Sequence, residues 1–264
     1  MTVFDRNQAT AAQFSAVGAK VAADLTKLAY VVLSCLRDDA AVEDVYFGTT
    51  KVLGAARRIS TIIELSTVAP ATARRLHGSG AKLGISVLDV AISGSTVAAE
   101  SGTLTLFGGG DPQVFEMAQP IFRAIAAQWF HMGPSGSGEA MKLVVNTLLG
   151  LGMQAIAEAI ALGEGLDLPR DLLIDTLAKT SVVAPAHAGK LARAKRNDYT
   201  PQFPIRLMRK DFGLILNEAE RVGLSMPATQ AAATLNAEEA ASGGEEDFSA
   251  VIRRMERANA LHKV

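Results

Sequence analysis

The stretch Gly136-Ser137-Gly138-Glu139-Ala140-Met141-Lys142-Leu143-Val144-Val145-Asn146 divides the chain into two differently built parts. On its C-terminal side, residues 138–165 contain no proline and are rich in Ala, Leu and Met. That composition predicts one helix of about 28 residues, roughly 40 Å long at 1.5 Å per residue. A helix that is apolar on nearly every side belongs along the spine of a helical domain, with surface left for a partner subunit. On the N-terminal side the chain alternates short apolar runs with amphipathic stretches, the rhythm of a parallel sheet covered by helices. The expected class is therefore α/β, with a parallel-sheet domain over residues 1–133 followed by an all-helical domain over 134–264.

Strands are predicted over 2–4, 30–36, 61–65, 87–90 and 103–107, and helices over 8–16, 69–76 and 112–127. Asp111 is positioned as the N-cap of the last of these, with Pro112 in its first turn. Beyond the long helix, further helices are expected over 169–179, 204–222, 226–242 and 247–258. Residues 195–204, with two prolines, read as a loop, and 243–246 as an exposed turn.

The chain has 264 residues, 49% of them hydrophobic and 20% charged, enough for well-buried cores. Lys+Arg 26 against Asp+Glu 27 leaves a net charge of -1, which argues against a nucleic-acid footprint or a basic membrane-binding face. Small molecules and further copies of the chain are the expected partners. The single cysteine, Cys35, lies in the apolar run 31–36 and reads as a core thiol; one cysteine makes neither an internal disulfide nor a multi-cysteine metal site. No metal is expected. With no leader-like opening and no run approaching the ~18 apolar residues of a membrane span, the expected location is the cytoplasm.

Three segments carry chemistry. On the long helix, Gly138, Lys142 and Asn146 recur every four residues and so share a face. The glycine permits close approach of a ligand or of another backbone. The lysine offers a cation and a proton, and the asparagine a donor and an acceptor. Such a lysine can protonate an oxygen that gains charge as hydride reaches a carbonyl carbon; equally, it can be a snorkelling surface lysine beside a helix start. In the second segment a strand ends in Ser93-Gly94-Ser95, followed by Gly102, Thr103 and Leu104. Hydroxyls and backbone N–H groups at the carboxyl end of a strand suit a substrate carboxylate, or simply make a tight turn. In the third, Glu64-Leu65-Ser66-Thr67-Val68-Ala69-Pro70, Ser66 or Thr67 is placed to cap the helix that follows, with or without an anionic ligand nearby.

Taken together and in this order, these segments, with Val3-Phe4-Asp5-Arg6-Asn7, Leu33 to Asp38 and Lys210-Asp211, resemble the β-hydroxyacid dehydrogenase family over nearly the whole chain. The resemblance implies a Rossmann-type sheet domain and interconversion of a small 3-hydroxy acid and its semialdehyde with NAD or NADP. It implies Lys142 as general acid/base, Asn146 orienting the substrate, and Ser93, Gly94 and Ser95 holding its carboxylate. Thr67 and Lys210 fall near the nicotinamide, Leu36 and Arg37 beside the adenosine. Asp5 next to Arg6 leaves the choice of cofactor open, since a carboxylate there binds ribose hydroxyls and an arginine a 2′-phosphate. A homodimer or homotetramer built through the helical domain is also implied.

The sequence departs from the family pattern. Val145, Arg37 and Ser95 stand where the family usually has Asn, Pro and Gly. The family's opening strand, Gly-rich turn and helix, a unit of roughly 30 residues that cradles the pyrophosphate, is not matched, so the sheet is expected to be incomplete around its first, central strand. A non-catalytic oligomerisation or binding protein derived from the family is therefore the competing expectation.

Overall fold

The structure, a computed structural model, describes residues 1–25, 30–48, 52–53 and 59–261. It consists of two compact units, Met1–Lys142 and Leu143–Val264.

In the first unit, β1 (Thr2–Val3) leads through α1 (Gln8–Gln13) to β2 (Lys20–Val21), and the two strands pair in parallel. A separate five-stranded sheet holds β3 (Val31–Ser34), β4 (Thr61–Glu64), β5 (Ser86–Ser93), β6 (Leu104–Gly109) and β7 (Ala126–Gly133), in that order. Among the described residues β1 bonds only to β2 and β3 only to β4, so these strands belong to two sheets. The first three strands of the larger sheet are parallel; β6 turns back antiparallel to β5, and β7 follows β6 in parallel. The return has a simple cause. The link 94–103 holds only the short helix α4 (Thr96–Glu100), less than the dozen or more residues a parallel crossover needs.

Successive residues of a strand face opposite sides of the sheet. Ile62 and Val87 pack with Val42, Tyr46 and Leu76 on one face, whereas Ile63, Leu88 and Leu106 pack with Phe115 and Phe122 on the other. The covering helices include α2 (Asp39–Phe47), α3 (Pro70–Ala81) and α5 (Pro112–Ile125). Asp111 caps α5 as expected, accepting from Gln113 N and Val114 N at 2.8 and 3.0 Å. Three local expectations need correction. Strand β3 ends at Ser34, and Cys35, just beyond it, is exposed rather than a core thiol. Helix α5 stops at Ile125, and the Trp129-Phe130 stretch continues as β7, where aromatic residues favour a pleated surface. Helix α3 is capped by neither Ser66 nor Thr67. Instead Asp39 Oδ1 on α2 accepts from Ala69 N and Thr72 Oγ1, at 2.9 and 2.6 Å.

Helix α6 (Ser137–Gly165) starts within the first unit and forms the spine of the second. The second unit continues with α7 (Arg170–Leu177), α8 (Pro185–Ala194), α9 (Ile205–Arg221), α10 (Pro227–Gly243) and α11 (Val251–Leu261). By length and composition α6 is apolar enough to cross a membrane, which a search for unbroken apolar runs does not register. Its Met153, Ala157 and Ile160 are fully buried among Met208, Phe212, Leu191 and Ile252, the setting of a core helix. The unit is tied by one buried carboxylate. Asp247 accepts from Lys190 Nζ at 2.7 Å, from the backbone N–H groups of Gln202, Phe203 and Ser249, and from the Ser249 hydroxyl.

Candidate active site

At the carboxyl end of β4, Glu64 is almost wholly buried and gathers three neighbours. Its carboxylate accepts from Ser66 N at 2.9 Å and from the Ser34 hydroxyl, which also bonds to the Tyr46 hydroxyl. Ser66 Oγ in turn accepts from Leu36 N at 2.6 Å, so the turn after β3, with Leu36 and Arg37, is fastened to the turn after β4, with Thr67. Burial raises the Glu64 carboxyl above its ordinary range, although the Ser34 and Ser66 hydrogen bonds oppose the shift. Burial, and then the Glu64 charge, likewise push the Tyr46 phenol well above its usual value. Arg37 points away into an exposed ion pair with Asp38, whose other oxygen caps α2 at Ala41 N.

The first turn of α6 is fixed just as firmly. Asp89 stands in the middle of β5, level with Glu64 at the end of β4. Its buried carboxylate accepts from Gly136 N at 2.8 Å, Gly138 N at 3.0 Å and Glu139 N at 3.3 Å. These are N–H groups that a helix start leaves without intrahelical acceptors, at the end where negative charge is favoured. Burial is the largest influence on the Asp89 carboxyl and raises it, against the lowering by the three donors. The approach depends on two glycines. A Cβ on Gly138 would lie 2.4 Å from the Phe107 carbonyl oxygen and 2.5 Å from that of Asp89, and one on Gly109 2.7 Å from the Asp89 carboxylate. Glu139, also fully buried, accepts from Val68 N at 3.1 Å, joining the same turn to the residue after Thr67. Lys142 follows one turn beyond Gly138.

Strand β5 runs on from Asp89 to Ser93, where Gly94 adopts φ +139° and Ser95 precedes α4. Ser93 and Ser95 are both half-buried, and the Ser95 side chain does not cap α4. Near β1, Asp5 folds back to accept from Asn7 N at 2.7 Å, and Arg6 is exposed.

In the second unit, Asn146, one helical turn after Lys142, is fully buried and donates through Nδ2 to Asp211 Oδ2 at 2.6 Å. Lys210 Nζ lies 2.9 Å from Asp211 Oδ1. Asn146 Oδ1 is buried and has no hydrogen-bond partner among the described residues, an uncommon state for a carbonyl oxygen. Asn146 and Lys210 were named from sequence as site residues, whereas Asp211, the carboxylate between them, was quoted without a role. Glu64 and Glu139 were also quoted without roles, and Asp89 was given none. The available signal was a carboxylate inside an otherwise apolar strand, since such a group is buried only with partners.

For a nicotinamide dinucleotide the fit is uneven. The turns after β3 and β4, at the carboxyl ends of parallel strands, suit its adenosine and nicotinamide ends, and their backbones are held in place by Ser66 and Glu139. The turn between β1 and α1, residues 4–7, contains no glycine and does not offer the close backbone approach a pyrophosphate needs.

Comparison with known proteins agrees. Residues 1–133 match the NAD-binding domain of 6-phosphogluconate dehydrogenase, and residues 136–255 the NAD-binding domain of NADP-dependent 3-hydroxyisobutyrate dehydrogenase. The chain is 32% identical to 2-(hydroxymethyl)glutarate dehydrogenase of Eubacterium barkeri, over 96% of this chain and 86% of that one. It is 34% identical to the NAD-dependent L-serine dehydrogenase of Pseudomonas aeruginosa, over 95% and 88%. The structure of 3-hydroxyisobutyrate dehydrogenase from Mycobacterium tuberculosis with L-serine superposes with a TM-score of 0.85 at 30% identity, covering 96% of this chain and 89% of that one. The chain therefore belongs to the β-hydroxyacid dehydrogenase family and is an oxidoreductase that uses NAD or NADP.

Proposed function

We propose that the protein oxidises a small 3-hydroxy acid to its semialdehyde, or catalyses the reverse reduction, with Lys142 as general acid/base. The observation that carries this reading is the double anchoring of the α6 start by Asp89 and Glu139, which sets Lys142 on a fixed backbone one turn beyond. The bound nicotinamide supplies or accepts the hydride. Lys142 Nζ gives a proton to the carbonyl oxygen as it gains charge, or takes the hydroxyl proton in the oxidation. The Ser93 and Ser95 hydroxyls are assigned to the substrate carboxylate, and Asn146 is assigned to orienting the substrate. Thr67 and Lys210 are assigned to the nicotinamide side, Leu36, Arg37, Asp5 and Arg6 to the adenosine side. L-serine and 2-(hydroxymethyl)glutarate, named for the relatives, are both 3-hydroxy acids, which supports that substrate class.

The test is NAD(P)-linked oxidation of L-serine, 3-hydroxyisobutyrate and 2-(hydroxymethyl)glutarate by the wild type and by Lys142→Ala. Turnover of at least one is expected, falling by about 10²–10⁴-fold in the variant while cofactor binding persists. Near-normal turnover in Lys142→Ala removes the role assigned to the lysine. The division of the strands between two sheets supports a second reading, a non-catalytic binding protein. Absence of saturable NADH and NADPH binding, together with assembly into dimers or larger, would establish it.

We further propose that the chain assembles as a homodimer or homotetramer through α6. Val144, Leu148, Ala155, Ala159 and Leu162 are exposed on one side of that helix, together with Glu158, while Leu151 between them is partly buried against the core. Val144, Leu148 and Leu162 are 57%, 70% and 65% exposed. A row of exposed apolar residues of this kind differs from the single surface hydrophobics of a monomer.

A further inference from the structure

Lys142 and the Ser93–Ser95 turn come from segments about fifty positions apart in sequence, and one buried group joins the elements that carry them. Asp89 sits on β5, four residues before Ser93 and so about 13 Å along the strand from it. The same carboxylate takes three N–H groups of the turn that opens α6, within one helical turn of Lys142. A capping residue normally belongs to the helix it caps; here the cap is supplied by a neighbouring strand, so the helix start has no freedom independent of β5. The surroundings are shaped for this contact. Alanine at 109 would press its Cβ to within 2.8 Å of both carboxylate oxygens, and alanine at 138 would strike two backbone carbonyls.

We propose that Asp89 is a positioning residue for the reaction. By clamping the first turn of α6 to β5 it sets where Lys142 stands relative to the Ser93–Ser95 turn. It touches neither substrate nor cofactor. The proposal rests on Lys142 being the acid/base and adds what holds that lysine in register. Displacing a catalytic group by an ångström costs up to about 10²-fold in rate. The loss falls on kcat, because the turns after β3 and β4 are fastened to each other through the Ser66 and Glu64 side chains, neither of which bonds to Asp89.

The discriminating variant is Asp89→Asn, which keeps one acceptor oxygen but turns an amide NH2 against N–H donors. Steady-state kinetics should show kcat lowered about 10- to 100-fold with KM for NAD(P) within about twofold. Amide hydrogen exchange should accelerate over residues 136–142 and stay unchanged over residues 205–221 of α9. Ser249→Ala, which removes a buried hydrogen bond in the second unit, serves as the control: its melting temperature falls but its kcat does not. If Asp89→Asn does not fold, Gly109→Ala shifts the same carboxylate without changing its charge and should give the same kcat-selective loss. Faster exchange over 136–142 with unchanged kcat reduces Asp89 to a structural cap and overturns the proposal, as does a loss confined to KM. The arms separate from those for Lys142. If Lys142→Ala keeps turnover, the acid/base reading itself is wrong; if only Asp89→Asn keeps its kcat, the positioning role alone falls.

Discussion

Glu64 shows what single residues contribute beyond their place in a motif. Its carboxyl is raised in the folded chain chiefly by burial, from an ordinary value near 4.5. A carboxyl raised on folding contributes stability that is fully present below its unfolded value and is lost as pH rises through the folded one. Glutamine has the shape of the neutral form: it can accept from Ser66 N and donate to the Ser34 hydroxyl, and it never ionises. Glu64→Gln should therefore gain on the wild type in melting temperature as pH is raised from about 4 to 7. Thermal melts across that range check it, and parallel curves for the two proteins would remove the assignment. The motif residues Lys142, Asn146 and Ser93–Ser95 could be named because they lie in short continuous segments that resemble the family's. The roles of Glu64, Asp89 and Asp211 could not be, because each depends on partners brought close by strand register or helix packing, such as Asp89 with the backbone of residues 136–139.

At the level of elements, the start of α6 and the Asp247 node are where small changes should be felt most. Gly138→Ala puts a methyl against two backbone carbonyls that cannot rotate away, at 2.4 and 2.5 Å. Overpacking of this kind costs about 1–3 kcal/mol, to be read as a lower urea midpoint. An unchanged midpoint would mean that the helix start has room to shift. Asp247→Ala should cost more, about 3–5 kcal/mol, because it strands the buried Lys190 ammonium and leaves three backbone N–H groups without their acceptor. Removing both charges in Lys190→Met/Asp247→Ala should recover part of that loss, and failure to recover any would assign the node's value to the backbone bonds alone. The long helix was readable from composition, and α5 from Asp111 and Pro112. Helices α2 and α8 were not read, although Asp38 and Pro185 mark their starts, because both are short and the buried face of α8 includes a histidine and a lysine. Strand β7 was not read, and its first two residues were taken for the tail of α5, although Trp129 and Phe130 favour a strand paired with β6.

For the whole molecule, the division at residues 136–146 and the change from sheet to helices were visible in sequence, because each part has its own period of apolar residues. The reversal at β6 was not, since it follows from the length of one connection rather than from any pattern. Assembly is the remaining whole-molecule property, and α6 makes it testable. Its exposed stripe runs from Val144 to Leu162, about 27 Å at 1.5 Å per residue, long enough for a second copy of the same helix to lie along it. A two-fold contact is made by the same patch on both subunits, so one substitution introduces two changes. Leu148, 70% exposed in the chain alone, lies within the stripe. Leu148→Glu would bury two like charges in such a contact without touching the core of its own chain, and burial of an unpaired charge is strongly unfavourable. The molar mass from light scattering should fall toward that of a 27.7 kDa monomer, with the melting temperature of the dilute protein little changed. Leu224→Glu, at a residue 58% exposed and outside α6, should leave the mass unaltered. If both variants keep the wild-type mass, the stripe is not the interface; if both lose it, the effect belongs to added charge rather than to α6.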